Sequence, residues 1–212
     1  MRHLRFGLAF VCLVGVLALP LRADAATIAL QSFSGGLNAT SGSDQLYGWE
    51  FDVLTPIDVI ALGAFDDDND GMDISHDVGI FRVSDQALLG SVTVNAGTGD
   101  TLLSGFRYVS LGSSLSLAVD RYVIVMTMPA GNGDLQSILD TSVGTAAEIA
   151  YVTSAFDGGS SLAYPNLFGI FAEGMFGPNF IFASDRTVPE PASLLLLGTG
   201  LAGIVARRAR RR

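Results

Sequence analysis

Apolar residues are spread unevenly along this chain. Residues 6–21 are almost continuous hydrocarbon, broken only by Gly7, Gly15 and Pro20, and residues 192–206 form a second, mostly apolar run. Between them the pattern changes to period two. Tyr47, Trp49, Phe51 and Val53 alternate with Gly48, Glu50, Asp52 and Leu54, which predicts a strand with one apolar face and turns Trp49 toward a core. Further strands are predicted over 57–65, 106–111, 115–119, 122–128, 148–153, 168–171 and 179–183. Residues 78–83 and 88–94 flank Ser84-Asp85-Gln86-Ala87, a hairpin-like connection. Turn residues recur every eight to twelve positions, the rhythm of an antiparallel β-sandwich. Gly131-Asn132-Gly133 and Gly158-Gly159-Ser160-Ser161 read as loops. A short helical turn is expected in 134–147.

The two apolar runs differ in their flanks. The first follows a basic start (Arg2, His3, Arg5) and ends in Ala23-Asp24-Ala25. That is the order of a secretory signal helix, with Ala23 and Ala25 at the positions a signal peptidase reads. The lone Cys12 lies inside it, so no thiol chemistry is expected of the exported chain. The second run would span roughly 22 Å as a helix, short for a hydrocarbon core of about 30 Å. Arg207, Arg208, Arg210, Arg211 and Arg212 follow it and place its end on the cytoplasmic side of a membrane. Pro189 and Pro191 stand before it and keep the chain extended, as a protease cleft requires.

Val188-Pro189-Glu190-Pro191, the short apolar run and the arginine cluster, in that order, resemble the PEP-CTERM sorting signal. The resemblance implies export by a Gram-negative bacterium that makes extracellular polysaccharide, with the tail processed by an exosortase. Gly48-Trp49-Glu50-Phe51, His76-Asp77-Val78-Gly79-Ile80-Phe81, Leu162-Ala163-Tyr164-Pro165 and Phe176-Gly177-Pro178-Asn179-Phe180 are similar to the lumenal part of a group of such proteins. This second resemblance implies a jelly-roll-like β-sandwich and no established activity. The expected organisation is a signal peptide over 1–25, an all-β sandwich over 26–185, and a sorting signal with a short C-terminal transmembrane helix over 186–212.

Charge narrows the partners. Between residues 26 and 188 stand 19 acids and four arginines (Arg82, Arg107, Arg121 and Arg186), a formal charge of −15 with no lysine. Such a surface repels nucleic acid and keeps an exported domain soluble. Five of the acids fall within 66–73. Asp66, Asp68, Asp70 and Asp77 occupy the first, third, fifth and twelfth positions of a possible calcium loop, with Gly71 at the sixth and the Met72 carbonyl as a further ligand. Asp73 and Ile74 depart from the usual pattern, and the residues that follow read as a strand. The alternatives are an irregular calcium loop and a solvated acidic turn.

His76 is the single histidine outside the signal. Its adjacency to Asp77 makes no triad, because strand neighbours face opposite sides, so a structural hydrogen bond is expected of it. Trp49, Tyr108, Tyr151, Tyr164 and Phe176 could stack on sugars if exposed, Tyr164 and Phe176 being the better placed, but core packing is the expected use of each. No spacing selects a catalytic carboxylate pair. The expectation is a non-enzymatic surface or matrix protein that binds or organises extracellular polysaccharide, after passing through the inner membrane with its middle domain in the periplasm. A hydrolase of that polysaccharide and a purely structural surface protein are the alternatives.

Overall fold

The computed structural model describes residues 26–38, 42–134, 136–170 and 174–184. The expected signal and transmembrane helices, with Ala23, Ala25 and the segment from Val188 to Pro191, lie outside the described residues. Asp24–Arg186 form one compact unit.

The regular structure of the described residues is all strand, joined by turns and loops: β1 (Ala26–Ile28), β2 (Leu30–Asn38), β3 (Gln45–Val53), β4 (Ile57–Phe65), β5 (His76–Arg82), β6 (Leu88–Val94), β7 (Thr101–Leu103), β8 (Phe106–Leu117), β9 (Arg121–Met128), β10 (Gln136–Thr145), β11 (Ile149–Gly158), β12 (Leu167–Phe168), β13 (Met175–Phe176) and β14 (Pro178–Ser184). Every strand pairing among the described residues is antiparallel. One sheet runs β1-β14-β4-β8-β7, a second β12-β11-β3-β9-β5-β6, and a small third sheet β13-β10-β2.

The two large sheets face each other across one core. From the second sheet come Trp49, Phe51, Val78, Ile80, Ile124 and Met126; from the first come Val59, Leu62, Phe106, Phe180 and Phe182. Trp49 stacks on Phe180 with ring centroids 6.0 Å apart, and its indole N–H donates to the Pro178 carbonyl at 2.8 Å. This bond satisfies the polar end of a ring that is otherwise wholly buried. Each such aromatic stabilises the fold by about 1.5–3 kcal/mol relative to exposure.

Period two continues on the other face. Leu46, Phe81, Val123, Val125 and Ala155 form a separate apolar cluster, covered by Leu162, Tyr164 and Phe168. The segment after β11 therefore straps the outer face of the second sheet. That explains why β9 is buried at nearly every position: a strand covered on both faces reads as an uninterrupted apolar run. Gly48 is required where β3 meets β9, because a Cβ there would collide with the Ile124 carbonyl.

Two expectations change. Residues 134–147 hold no helical turn among those described; Gln136–Thr145 is β10, paired along its length with β2. Ile138, Thr141, Val143 and Thr145 are β-branched, which favours strand over helix once a partner edge exists. The runs 106–111 and 115–119 merge into one strand, β8, which ends at Leu117. Ala61 pairs with Ser110 and Val59 with Leu115, so the polar stretch Gly112-Ser113-Ser114 is accommodated as an irregularity within the strand.

Candidate functional site

The connection from β4 to β5 carries the acidic run. β4 ends opposite the start of β8, with Phe65 facing Phe106 and Ala64 facing Arg107. That register sets the Arg107 guanidinium beside the next residue, Asp66. Its Nε–H donates to Asp66 Oδ2 at 2.7 Å, and both side chains are buried. The same guanidinium donates to the carbonyls of Asn69, Thr98 and Asp100. One arginine thus braces the β4–β5 connection against the β6–β7 connection. Asn69 and Gly71 take left-handed backbone angles (φ 67° and 117°), which tighten the loop. Met72 then forms a bridge with Gly97 and buries its side chain in the core.

Three carboxylates converge here. Oxygens of Asp66, Asp68 and Asp70 lie within 4.8 Å of one another, with Asp66 buried and the other two exposed. The second oxygen of Asp66, Oδ1, is buried and accepts no hydrogen bond. The Asp68 side chain accepts a hydrogen bond from the Asp70 backbone N–H. Hydrogen bonding and repulsion between the two carboxyls raise the pKa of Asp70, with Asp66 and Asp73 adding to the effect.

Asp77 is not part of this group. It follows His76 on β5, is exposed, and accepts a hydrogen bond from the Thr93 hydroxyl of β6 at 2.7 Å. The physical reason is that the chain has already entered a strand by the twelfth position, and pleating turns Asp77 onto the strand face rather than into the loop. The Met72 carbonyl accepts the Gly97 N–H at 2.7 Å, so it serves the bridge between loops.

One acid of the neighbourhood was not singled out by spacing. Asp134, buried just before β10, accepts the Asp73 N–H through Oδ2 at 2.9 Å. Burial first, then the nearby charges of Asp73, Asp66 and Asp67, push its pKa up to about 6, against the opposing effect of that hydrogen bond. Gly133 allows the close approach, since a Cβ there would strike the Asp73 carboxylate. The only sequence signal for Asp134 was its place beside the Gly131-Asn132-Gly133 loop.

His76 has the structural role expected of it. It is fully buried, and its Nδ1–H donates to the Thr127 carbonyl of β9 at 2.7 Å. Burial lowers its pKa, which keeps the ring neutral around pH 7. On the strapped face, Arg121 makes a two-pronged pair with Asp52 at 2.8 and 3.0 Å and meets the largely buried Glu50 at 3.4 Å. Desolvation raises the pKa of Glu50, and Arg121 opposes that rise.

The tail decides the protein's address. Residues 187–212 match the PEP-CTERM protein-sorting motif. A PEP-CTERM tail marks an exported protein that an exosortase sorts to the cell surface. The match contains all of Val188, Pro189, Glu190 and Pro191. No curated protein matches the chain.

The β-rich domain carried by this PEP-CTERM tail offers its aromatic candidates to its own interior. Trp49, Tyr108 and Phe176 are buried, while Tyr151 and Tyr164 are half-buried. Phe176 packs against Phe33, Trp49 and Tyr151. Tyr164 sits edge-on to Phe81 and packs on Phe168. Packing is thus the use of both rings: Phe176 lies in β13 rather than a loop, and Tyr164, outside the strands, covers a sheet face, as apolar rings gain by doing.

Proposed function

We propose that this protein is a non-enzymatic component of the cell surface whose β-sandwich organises extracellular polysaccharide. The observation that carries the reading is the sorting motif over 187–212. Supporting it, the buried polar groups of the sandwich serve the fold. Arg107 braces loops, His76 ties β5 to β9, and Asp134 holds the Asp73 backbone. Asp134 has the raised pKa of a general acid, but it is buried with one oxygen accepting a backbone N–H, a use that serves the fold. With the aromatic rings turned inward, sugar contact falls to polar groups of the loops.

Burial of those rings also favours the second reading, a purely structural surface protein. One experiment separates the two. The protein is recovered from the surface of producing cells, its intact mass is measured, and it is passed over the cells' own polysaccharide. Loss of the N-terminal signal and of the C-terminal run, with retention on the polysaccharide, is the expected result. A processed protein that is not retained leaves the structural reading. A protein recovered with its C-terminal run intact and confined to the inner membrane would overturn the address itself.

A further inference from the structure

We infer that Asp66, Asp68 and Asp70 form a calcium site at the end of the sandwich where the β4–β5 and β6–β7 connections meet. The claim goes beyond the surface role proposed above and stands whether or not the protein binds sugar.

The first ground is size. Calcium holds oxygen ligands at about 2.3–2.6 Å, so two oxygens on opposite sides of one ion lie about 4.8 Å apart. The three carboxylates meet that limit together, each offering an oxygen within 4.8 Å of the others. The second ground is independent of their clustering. Asp66 is 0% exposed, and a buried carboxylate oxygen normally has a partner. Arg107 supplies one for Oδ2, while Oδ1 has none. A buried carboxylate with one oxygen held by a guanidinium and the other without a hydrogen-bond partner is arranged as a ligand whose orientation is already fixed.

Charge points the same way. Asp67, Asp73 and Asp134 add their negative charge to the three ligands, and Arg107 pairs with Asp66. A divalent ion would relieve that repulsion more than a sodium ion could. Asp68 and Asp70 are exposed, so water can complete the six to eight ligands calcium takes. One buried and two exposed carboxylates suit an affinity in the range of extracellular modules, about 0.1–1 mM. Magnesium demands shorter bonds and near-ideal octahedral geometry, which a rim of two exposed side chains is poorly built to impose.

The test uses the full chain in mild detergent, stripped with chelator and titrated with CaCl₂ by calorimetry and thermal melting. One calcium per chain should bind, and saturating calcium should raise Tm by about 5–10 °C. Magnesium at equal concentration should give a smaller rise. Asp68→Asn and Asp70→Asn should each weaken binding about tenfold or more while leaving Tm in chelator unchanged or higher, because each removes repulsion without a cavity. Asp77→Asn should bind like the parent. Should Asp66→Asn fail to fold for want of its Arg107 pair, the two exposed variants still carry the test. Absence of saturable binding at about 10 mM calcium, a level far above the expected affinity, would overturn the site. So would binding that neither exposed substitution weakens.

Discussion

At the residue scale, the clearest local tension in the fold is a buried acid that pays no visible dividend in charge pairing. Asp134 accepts a backbone hydrogen bond from Asp73, yet burial and three neighbouring carboxylates raise its pKa from 3.8 to about 6. The folded state therefore holds its proton over a range where the unfolded chain has released it. Stability falls as pH rises from about 4 toward about 6, and the loss is complete above that. Asn keeps an acceptor oxygen and drops the charge. Asp134→Asn should raise Tm in chelator near pH 7.5 by several degrees and leave it almost unchanged near pH 4, which melts across the range would check. His76 acts in the opposite sense: its pKa is lowered by burial, so it costs stability as pH falls below about 6.5. Asn179 shows the contrasting case of a fully satisfied polar side chain. Its carbonyl accepts the N–H groups of Leu30 and Phe180, and its amide donates to the Leu30 carbonyl. One side chain thus joins β14 to the start of β2 in the manner of a strand.

At the element scale, the segment after β11 matters more than its lack of regular structure suggests. It runs from the Gly158-Gly159 turn to β12 and lays Leu162, Tyr164 and Phe168 over the outer face of β3, β5, β9 and β11. Leu162 comes close enough to β5 that a Cβ on Gly79 would approach its Cδ2 to 2.7 Å. The strap therefore depends on a bare patch of sheet as well as on its own apolar residues. Phe168→Ala would remove the ring that packs on Tyr164 and should cost about 2 kcal/mol, toward the low end for aromatic truncation because the ring is half-buried. Hydrogen exchange should rise first across 159–170, before the paired amides of β3 and β9. Protection lost uniformly through both sheets would mean the strap has no independent opening.

At the scale of the whole molecule, the two large sheets share one core, and the single tryptophan sits in it. Trp49 touches Phe51, Phe176 and Phe180 and bonds to Pro178, so its environment depends on both sheets. Denaturant unfolding followed by Trp49 emission should coincide with the loss of far-ultraviolet β signal, as one cooperative transition. Emission shifting to the red before the β signal falls would show that the sheets part before they unravel. The small sheet joins the same unit through Phe33, whose ring meets Phe65, Phe106 and Phe176. The support of the acidic site belongs to this scale too, since Arg107 and Asp134 reach that loop from separated parts of the chain.

The sequence by itself determined most of the strands and the address. Period two in 45–53 is local, and that strand's inward and outward residues follow from it directly, while 122–128 shows as a continuous apolar run. The order of Pro-Glu-Pro, apolar run and arginines is likewise written in consecutive residues. β2 escaped that reading because Leu30–Asn38 mixes serine and glycine with few apolar positions; it is a strand because β10 lies beside it. β10 was misread for the same reason, as neither partner announces itself alone. At the candidate site, Asp66, Asp68 and Asp70 were legible because a tight loop brings close neighbours together. Arg107 was not, because only the β4–β8 register sets it against Asp66, and Asp134 arrives from after β9. Asp77 looked like a ligand by spacing, but the start of β5 turned it away. Spacing along a chain governs contacts within a turn; pairing between strands governs the rest, and that pairing is settled by what each strand can bury.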